Sequence, residues 1–560
     1  MDFDFSRYPY KDIFPEEIKS DLVYDYVRPK DYEQGKIEKV DGEILYDFGV
    51  ESIGFFTIEA CGKGEITLDY GEWLDEMFDR HEETIPCWYI PPIDKISVDS
   101  KDFVEVGIGK RRAFRFLRIR ADGEIKIKEP KLKTVEARKP FKGTFYCSDQ
   151  RINDLYEIAK RTTRICMQDF VEDGVKRDGL CWITDTREGM ICNYATFGNV
   201  DIVKKSLVYF IRTMKEDGWI STSGTIGGAH QHPSNIDYMF DFVTKKSVDG
   251  TPEFYRDCGE IYYVPYQADF LGMAYEYYQY SGDKEFLKKI WKFVKKGAEY
   301  ACKLTDEQIA TCHFPIQEKR NRPLTDNLCD IGSVASSLVY GLKDYVKLCK
   351  IFGSEEDVKA VLPAIDRYSK KAFEYMDDQG RMFRDCDEEK VYSPTAQSLM
   401  FLSGLISKED YMKALKKMPK ETTAYPDQGL AKQWIVRALC EAGYLEEAYK
   451  WIKEEWGALL DCGYTTCIER WDIEDMEDTL IFTPLSACHA WSATPSYFLI
   501  RYVLGVQIVD DGCTKIRIKP NLFNLKYAMG SVPTPKGLIK VKIHNGKLEY
   551  SVPEGIEVVE

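Results

Sequence analysis

No stretch of the chain approaches the ~20 consecutive apolar residues that cross a bilayer, and the opening residues, MDFDFSRYPYKDIF, lack a basic segment followed by an apolar run. A protein that neither spans a membrane nor begins with an export signal is therefore expected. Although the chain has 17 cysteines, scattered from Cys61 to Cys513, it has no CxxC pair, which argues against a zinc ribbon or a thioredoxin-like site. Scattered thiols in odd number suit a reducing compartment, so a cytoplasmic location is expected. The chain also lacks a Gly-rich phosphate loop, a nucleotide fingerprint and a Ser-His-Asp triad in recognisable context. No cofactor is expected. A net charge of −16 excludes a general nucleic-acid or anionic-membrane surface, and neutral substrates fit better.

What is present is a large, aromatic-rich globular chain. Its 560 residues are 44% hydrophobic and 13% aromatic, with 36 Tyr and 10 Trp, enough for a substantial core. Most of these rings belong in that core, but rings are also what the C–H faces of a sugar pack against. The pattern changes character twice. From Val40 to Val135, alternating runs such as ILYDFGV, FFTIEA and EITLDY read as half-buried strands. From Asp149 to Leu504 the apolar period becomes helical, as in RINDLYEIAKRTTRICMQ and VASSLVYGLKDYVKLCKIFG. Short turns carrying SGD, FGS and AGY make those helices antiparallel neighbours. Strand patterns return after Val506 in TKIRIKP, GLIKVKI and KLEYSV. With no fixed repeat of the ~34 or ~40 residues of a solenoid, the expected fold is multidomain. A central all-α (α/α)6 barrel, residues 143–504, is flanked by an amino-terminal β-sandwich, residues 1–142, and a carboxy-terminal β-sandwich, residues 505–560.

Two polar segments set between helical patterns carry the chemistry. Residues 173 to 185 read DGVKRDGLCWITD, and residues 456 to 472 read WGALLDCGYTTCIERWD. Each places carboxylates beside Arg and Trp. A pair of carboxyl groups is what glycoside hydrolysis asks for. An inverting enzyme uses one protonated carboxyl to protonate the leaving oxygen and one carboxylate to activate water, about 6.5–9.5 Å apart. Three aspartates between 173 and 185 would also favour an oxocarbenium-like transition state.

The first segment resembles the D-C-P-Q-R-E-R-L-G-W-T-G-D signature of glycoside hydrolase family 78, the α-L-rhamnosidases, in its D-G-x-K-R-D-R variant. The second is similar to the family's W-G-G-M-L-x-x-G-A-T-T-x-W-E stretch, and LSACHAWSATPSYFLIRYVLGV to its S-x-x-H-x-W-S-x-x-P-x-Y-x-L stretch. The resemblance implies inverting hydrolysis of a terminal α-L-rhamnoside, with Asp178 at the general-acid position and Glu469 at the general-base position. It assigns Asp173, Arg177, Trp182, Asp185 and His489 to sugar binding. The partner it implies is a small rhamnoside or oligosaccharide, with no nucleic acid, no membrane and no metal; the oligomeric state stays open, a homo-oligomer included. Departures from the pattern are Asp for Glu at 178, Gly179 for Arg, Ile468 for an aromatic residue and Tyr464 for a small one. They leave open a related α-L-linked or 6-deoxy sugar, or a carbohydrate-binding protein on a catalytically retired scaffold.

Plainer readings accompany these residues. Asp173 and Asp185 also suit helix caps, Arg470 and Asp472 a surface ion pair, and Trp182, Trp456, Trp471, Trp491 and His489 a core. His230 and His232 in GGAHQHP read as residues of a loop at the barrel mouth rather than metal ligands; where the resemblance expects a Pro-Asp-Tyr type sequence, Pro265 is followed by Tyr266, and Asp237 and Asp241 are read as compensating for it.

Overall fold

Alternation of apolar and polar side chains folds the amino-terminal region into β1 (Leu22–Val27), β2 (Ile37–Val40), β3 (Glu43–Gly71), β4 (Ile93–Ile127) and β5 (Lys131–Ala137). The computed structural model describes residues 8–29, 37–40, 42–78, 93–128, 130–176, 179–223, 264–310, 331–384, 390–473 and 486–560. Strand order is β1-β5-β3-β2, with β4 pairing antiparallel along β3. Repeated register shifts bend this long ladder, as bulges do. Its inward side chains, among them Phe48, Phe56, Leu68, Phe114 and Leu117, form a core of their own.

Helices follow: α1 (Gln150–Cys166), α2 (Ile183–Thr196), α3 (Val200–Arg212), α4 (Val264–Ser281), α5 (Lys284–Lys303), α6 (Asp306–Ala310), α7 (Ile331–Phe352), α8 (Glu355–Phe373), α9 (Pro394–Leu402), α10 (Lys408–Lys417), α11 (Gly429–Glu441), α12 (Leu445–Asp461) and α13 (Thr494–Phe498). Outer helices are amphipathic. In α5, Phe286, Leu287, Ile290, Phe293, Val294, Ala298 and Ala301 are buried at helical spacing, and Asp283 caps the helix by accepting from the N–H of Phe286 at 3.0 Å. Inner helices are buried almost all round, including α2 with its charged residues. Where α4 meets α7, a Cβ on Gly341 would lie 2.4 Å from the carbonyl oxygen of Ala268. The glycine permits that approach.

The charges inside these helices are paired across them. Arg187 of α2, 2% exposed at its side chain, reaches Asp269 at 2.6 Å, Glu276 at 3.0 Å and Asp344 at 3.3 Å. Arg437 of α11 joins the same group through Glu276 at 2.8 Å. Glu188 accepts from Gln433 Nε2 at 2.6 Å and Trp434 Nε1 at 3.0 Å. Four helices thus meet at one polar knot, α2, α4, α7 and α11.

At the carboxy terminus, β9 (Tyr527–Thr534), β10 (Gly537–His544) and β11 (Lys547–Ser551) form a sheet completed by β6 (Thr144–Cys147), a strand that precedes α1. A second sheet has the order β12-β8-β7, from β7 (Val506–Ile508), β8 (Lys515–Ile518) and β12 (Glu557–Val559). One apolar core runs from Phe145 and α1 through α12 into this β region. Among the described residues, no helix is long and apolar enough to cross a membrane.

The amino-terminal β region reaches the helical region through buried charges. Arg111 of β4 pairs with Glu172 at 2.8 Å, both side chains 1% exposed. Lys176 lies 3.0 Å from Glu72 and also pairs with Glu76. Close by, the N–H of Glu51 donates to Thr465 Oγ1 at 2.9 Å. Burial, reinforced by the negative charge of Glu72, pushes the Glu51 carboxyl well above the usual carboxylate range.

Two outcomes test this account. Arg187→Met leaves Asp269, Glu276 and Asp344 buried without their shared cation, and should destabilise the protein by about 3–5 kcal/mol; a loss below ~1 kcal/mol in denaturant unfolding would show the knot to be dispensable. Glu51 has a raised folded pKa, so its contribution to stability is present below the ordinary carboxylate range and is lost as pH rises through the folded pKa. Glu51→Gln should therefore leave the melting temperature nearly unchanged at acid pH and raise it at alkaline pH. Glu72, Glu76, Lys176 and Arg115 face the same carboxyl, and equal shifts at both pH values would rule out this cause.

Candidate active site

The first motif begins where α1 ends. The N–H of Glu172 returns to the carbonyl of Cys166 at 2.8 Å, and Arg111 holds its side chain. Asp173, 2% exposed, then closes the motif on itself. Its N–H donates to the Leu180 carbonyl at 3.1 Å, and the N–H of Leu180 donates to Asp173 Oδ1 at 2.9 Å. The N–H of Gly179 donates to the Gly174 carbonyl at 2.9 Å, with Gly179 at φ +60. A left-handed backbone of that kind favours glycine, which gives a physical reason for Gly179 where the resembled signature has arginine.

Trp182 is the residue before α2 and Asp185 lies in its first turn. The Trp182 ring is partly exposed and meets Tyr266 edge-on at 6.4 Å. Its indole N–H finds no hydrogen-bond partner among the described residues. Asp185 is 2% exposed. Asp173 uses its side chain inside the motif, and Trp182, at the start of α2, makes no side-chain cap bond.

The second and third motifs lie side by side. Hydrogen bonds join Glu469 N–H to the Ser486 carbonyl at 3.0 Å and His489 N–H to the Cys467 carbonyl at 3.0 Å. Ser486 N–H also donates to Glu469 Oε2 at 3.3 Å. This ribbon pairs with the first motif in turn, through a bridge between Gly174 and His489 and a bond from Ala490 N–H to the Asp173 carbonyl at 2.7 Å. A Cβ on Gly174 would lie 2.8 Å from Ser486 Cβ, so the glycine allows the segments to touch.

The three segments bring Asp173, Asp185 and His489 together. His489 Nε2 lies 3.9 Å from Asp173 Oδ2 and 3.8 Å from Asp185 Oδ1, and its ring stands 4.1 Å from that of Trp491. One donor atom from each of the three falls within 4.8 Å of the others. Two carboxylates and an imidazole could ligate a divalent cation, and the same groups can take sugar hydroxyls as donors and acceptors. Glu469 is 7% exposed on the paired ribbon. Arg470, beside it, pairs with buried Asp427 at 2.6 Å, not with Asp472. Trp456 and Trp471 pack edge-on at 5.3 Å inside the core, as their plainer reading has it.

Arg177 and Asp178 lie outside the described residues, as do His230, His232, Asp237 and Asp241. Residues that sequence reasoning did not single out are Glu72, Glu76 and Arg111 from the β region, with Lys176, Glu172 and Ser486 beside the motif carboxylates. Glu72 is pushed up to about 7 by burial, against the opposing pull of Lys176. Lys176 and Ser486 carried a local signal, because they stand inside the first and third motifs.

Comparison with known proteins places the arrangement. In fold the chain is similar to a family 78 rhamnosidase of Bacillus sp. GL1 (TM-score 0.72, 23% identity, 94% of this chain and 54% of that one). It is also similar to a Klebsiella oxytoca rhamnosidase with rhamnose bound (TM-score 0.67, 18% identity, 87% and 97%). A third is the Streptomyces avermitilis α-L-rhamnosidase complexed with L-rhamnose (TM-score 0.73, 15% identity, 97% and 50%). The chain thus spans about half the length of the first and third and nearly all of the second. No curated protein matched it in sequence. The sequence model described as the bacterial α-L-rhamnosidase six-hairpin glycosidase domain matches residues 140–237 and 268–503. That match takes in all three motifs and more than half of the sequence, and the chain belongs to this family of bacterial α-L-rhamnosidase domains.

Proposed function

We propose that the protein is an inverting glycoside hydrolase that releases terminal α-L-rhamnose from small rhamnosides. Asp178 is the general acid and Glu469 the general base. Asp173, Arg177, Trp182, Asp185 and His489 bind the sugar. The observation that carries this reading is the convergence of Asp173, Asp185 and His489 from separate segments into one buried group, with Glu469 on the ribbon hydrogen-bonded beside them. A ring hydroxyl set among them could donate to either carboxylate and exchange a hydrogen bond with the imidazole, while the indole N–H of Trp182 offers a further donor.

In this reading the helices form an (α/α)6 barrel over residues 143–504, with β-sandwich domains over 1–142 and 505–560. No cofactor enters the chemistry. Scattered thiols favour the cytoplasm, where small imported rhamnosides would be the substrates.

Asp178→Asn should abolish hydrolysis of rhamnosides with poor leaving groups and spare activated aryl rhamnosides more, because a good leaving group needs little protonation. Glu469→Gln should impair both. Each loss should be about 10²–10⁴-fold or larger, with melting temperatures little changed. Proton NMR of the first product should show the anomer opposite to the substrate's. Retained configuration would make Glu469 a nucleophile and overturn the water-activating role. Absence of turnover on a panel of aryl glycosides would remove the enzymatic reading altogether.

A further inference from the structure

One carboxylate outside the three motifs touches two of them. Glu72 stands just past β3 and is 4% exposed. Its Oε2 accepts from the N–H of Ala487 at 2.7 Å and lies 3.0 Å from Lys176 Nζ, while its Oε1 lies 3.3 Å from Ser486 Oγ, whose one hydroxyl proton it shares with the Cys488 carbonyl at 3.0 Å. Lys176 is in the first motif, two residues before Asp178. Ser486 is in the third, and its N–H donates to Glu469 Oε2 at 3.3 Å. One contact from Glu72 therefore reaches the first motif at Lys176, and two reach Ser486 and Ala487, of which Ser486 touches the carboxylate of the base.

We propose that Glu72 is a positioning residue for glycoside hydrolysis, acting as an anion that ties Lys176 to the Ser486–Ala487 backbone and so fixes the placement of the Glu469 carboxylate. The proposal rests on the hydrolase reading above. An inverting reaction needs its carboxyl groups held at a set separation, with room for one water, and small misplacements are costly: ~1 Å can cost about 10²-fold in rate. Glu469 lies beyond the end of α12 and is paired there by single backbone hydrogen bonds to Ser486 and Gly429, so no helical ladder holds it in place. Glu72 supplies the missing link from another part of the chain, through charge-assisted hydrogen bonds, which are stronger than neutral ones.

Satisfying Lys176 alone does not require Glu72, because Glu76 already pairs with the same ammonium. What Glu72 adds is the second set of contacts, to Ser486 and Ala487. Facing it are Glu51 and Glu76 from the β region, Lys176 from the first motif, Tyr464 from the second and Cys488 from the third. Because Glu72 is pushed up to about 7 by burial, the tie is complete only above neutrality and weakens as the carboxyl takes up its proton on the acid side.

The test uses the full chain and a nitrophenyl α-L-rhamnoside. Glu72→Gln keeps the side-chain size and one acceptor oxygen but loses the charge. It should lower kcat about 10–100-fold, leave KM within ~3-fold, and remove the pH dependence that ionisation of Glu72 gives to the acid limb of the kcat profile. Glu72→Asp keeps the charge and should recover part of kcat and that acid limb; it also decides the matter should Glu72→Gln fail to fold. Glu469→Gln is measured alongside. If Glu469→Gln is inactive while both Glu72 variants keep the wild-type kcat and pH profile, Glu72 is a structural residue only and the proposal is overturned. If Glu469→Gln keeps full activity, the base assignment falls first, and the positioning role falls with it.

Discussion

Arg187 is withdrawn from water almost completely, and the helical region is built around the need to neutralise it. A lone guanidinium at such a depth would cost several kcal/mol, and so three carboxylates on two other helices converge on it, with Arg437 balancing the excess negative charge. A knot of this kind need not add net stability over a well-packed apolar core. What it does is restrict how α2, α4, α7 and α11 can be arranged, since a shift of one helical turn would break several charged contacts together. The consequence for the site is direct. Thr184 and Arg187 of α2 both bond to Asp269, and Asp185, which faces His489, lies between them.

The site's other half is fixed from outside the helices. Its described segments are tied to the β region by Arg111 on Glu172 and by Glu72 and Glu76 on Lys176. The amino-terminal β region therefore sets its charges against the segments that carry Asp173 and Glu469. Its own core is separate, but its polar contacts end beside the motif carboxylates. Burying these charges is costly, and the pushed-up carboxyls of Glu51 and Glu72 are the visible result.

The period of the sequence made the sheets and most helices legible, because α5 and the inner strands bury one face each. Helix α2 was legible only as a motif. ITDTREGMICNYAT has no apolar stripe, and its polar residues Thr184, Asp185, Arg187 and Glu188 are buried with the rest, so a pattern rule would place Arg187 and Glu188 in solvent. Asp173, Asp185 and His489 were marked by resemblance, and their meeting point could come only from the fold. Arg470 shows the limit of local reasoning. Glu469 and Asp472 are its near acids in sequence, yet it pairs with Asp427, brought there by backbone pairing between Gln428 and Arg470. Glu72 gave no signal, since a glutamate after a predicted strand is ordinarily solvated.

β6 has a consequence for how the molecule is made. Thr144–Cys147 is synthesised before any helix, but its partner β9 appears only after the entire helical region has left the ribosome. At ~5–20 residues per second this wait lasts on the order of tens of seconds. Throughout it β6 offers an open edge, the kind of surface that recruits wrong partners, and Phe145, buried in the finished protein, stays without its cover. A transcript cut short after the third motif would encode every residue assigned to the chemistry and still leave that edge unpaired, so the last strands, which pair with the end of the third motif at Val506, are as necessary to the folded protein as the motifs themselves.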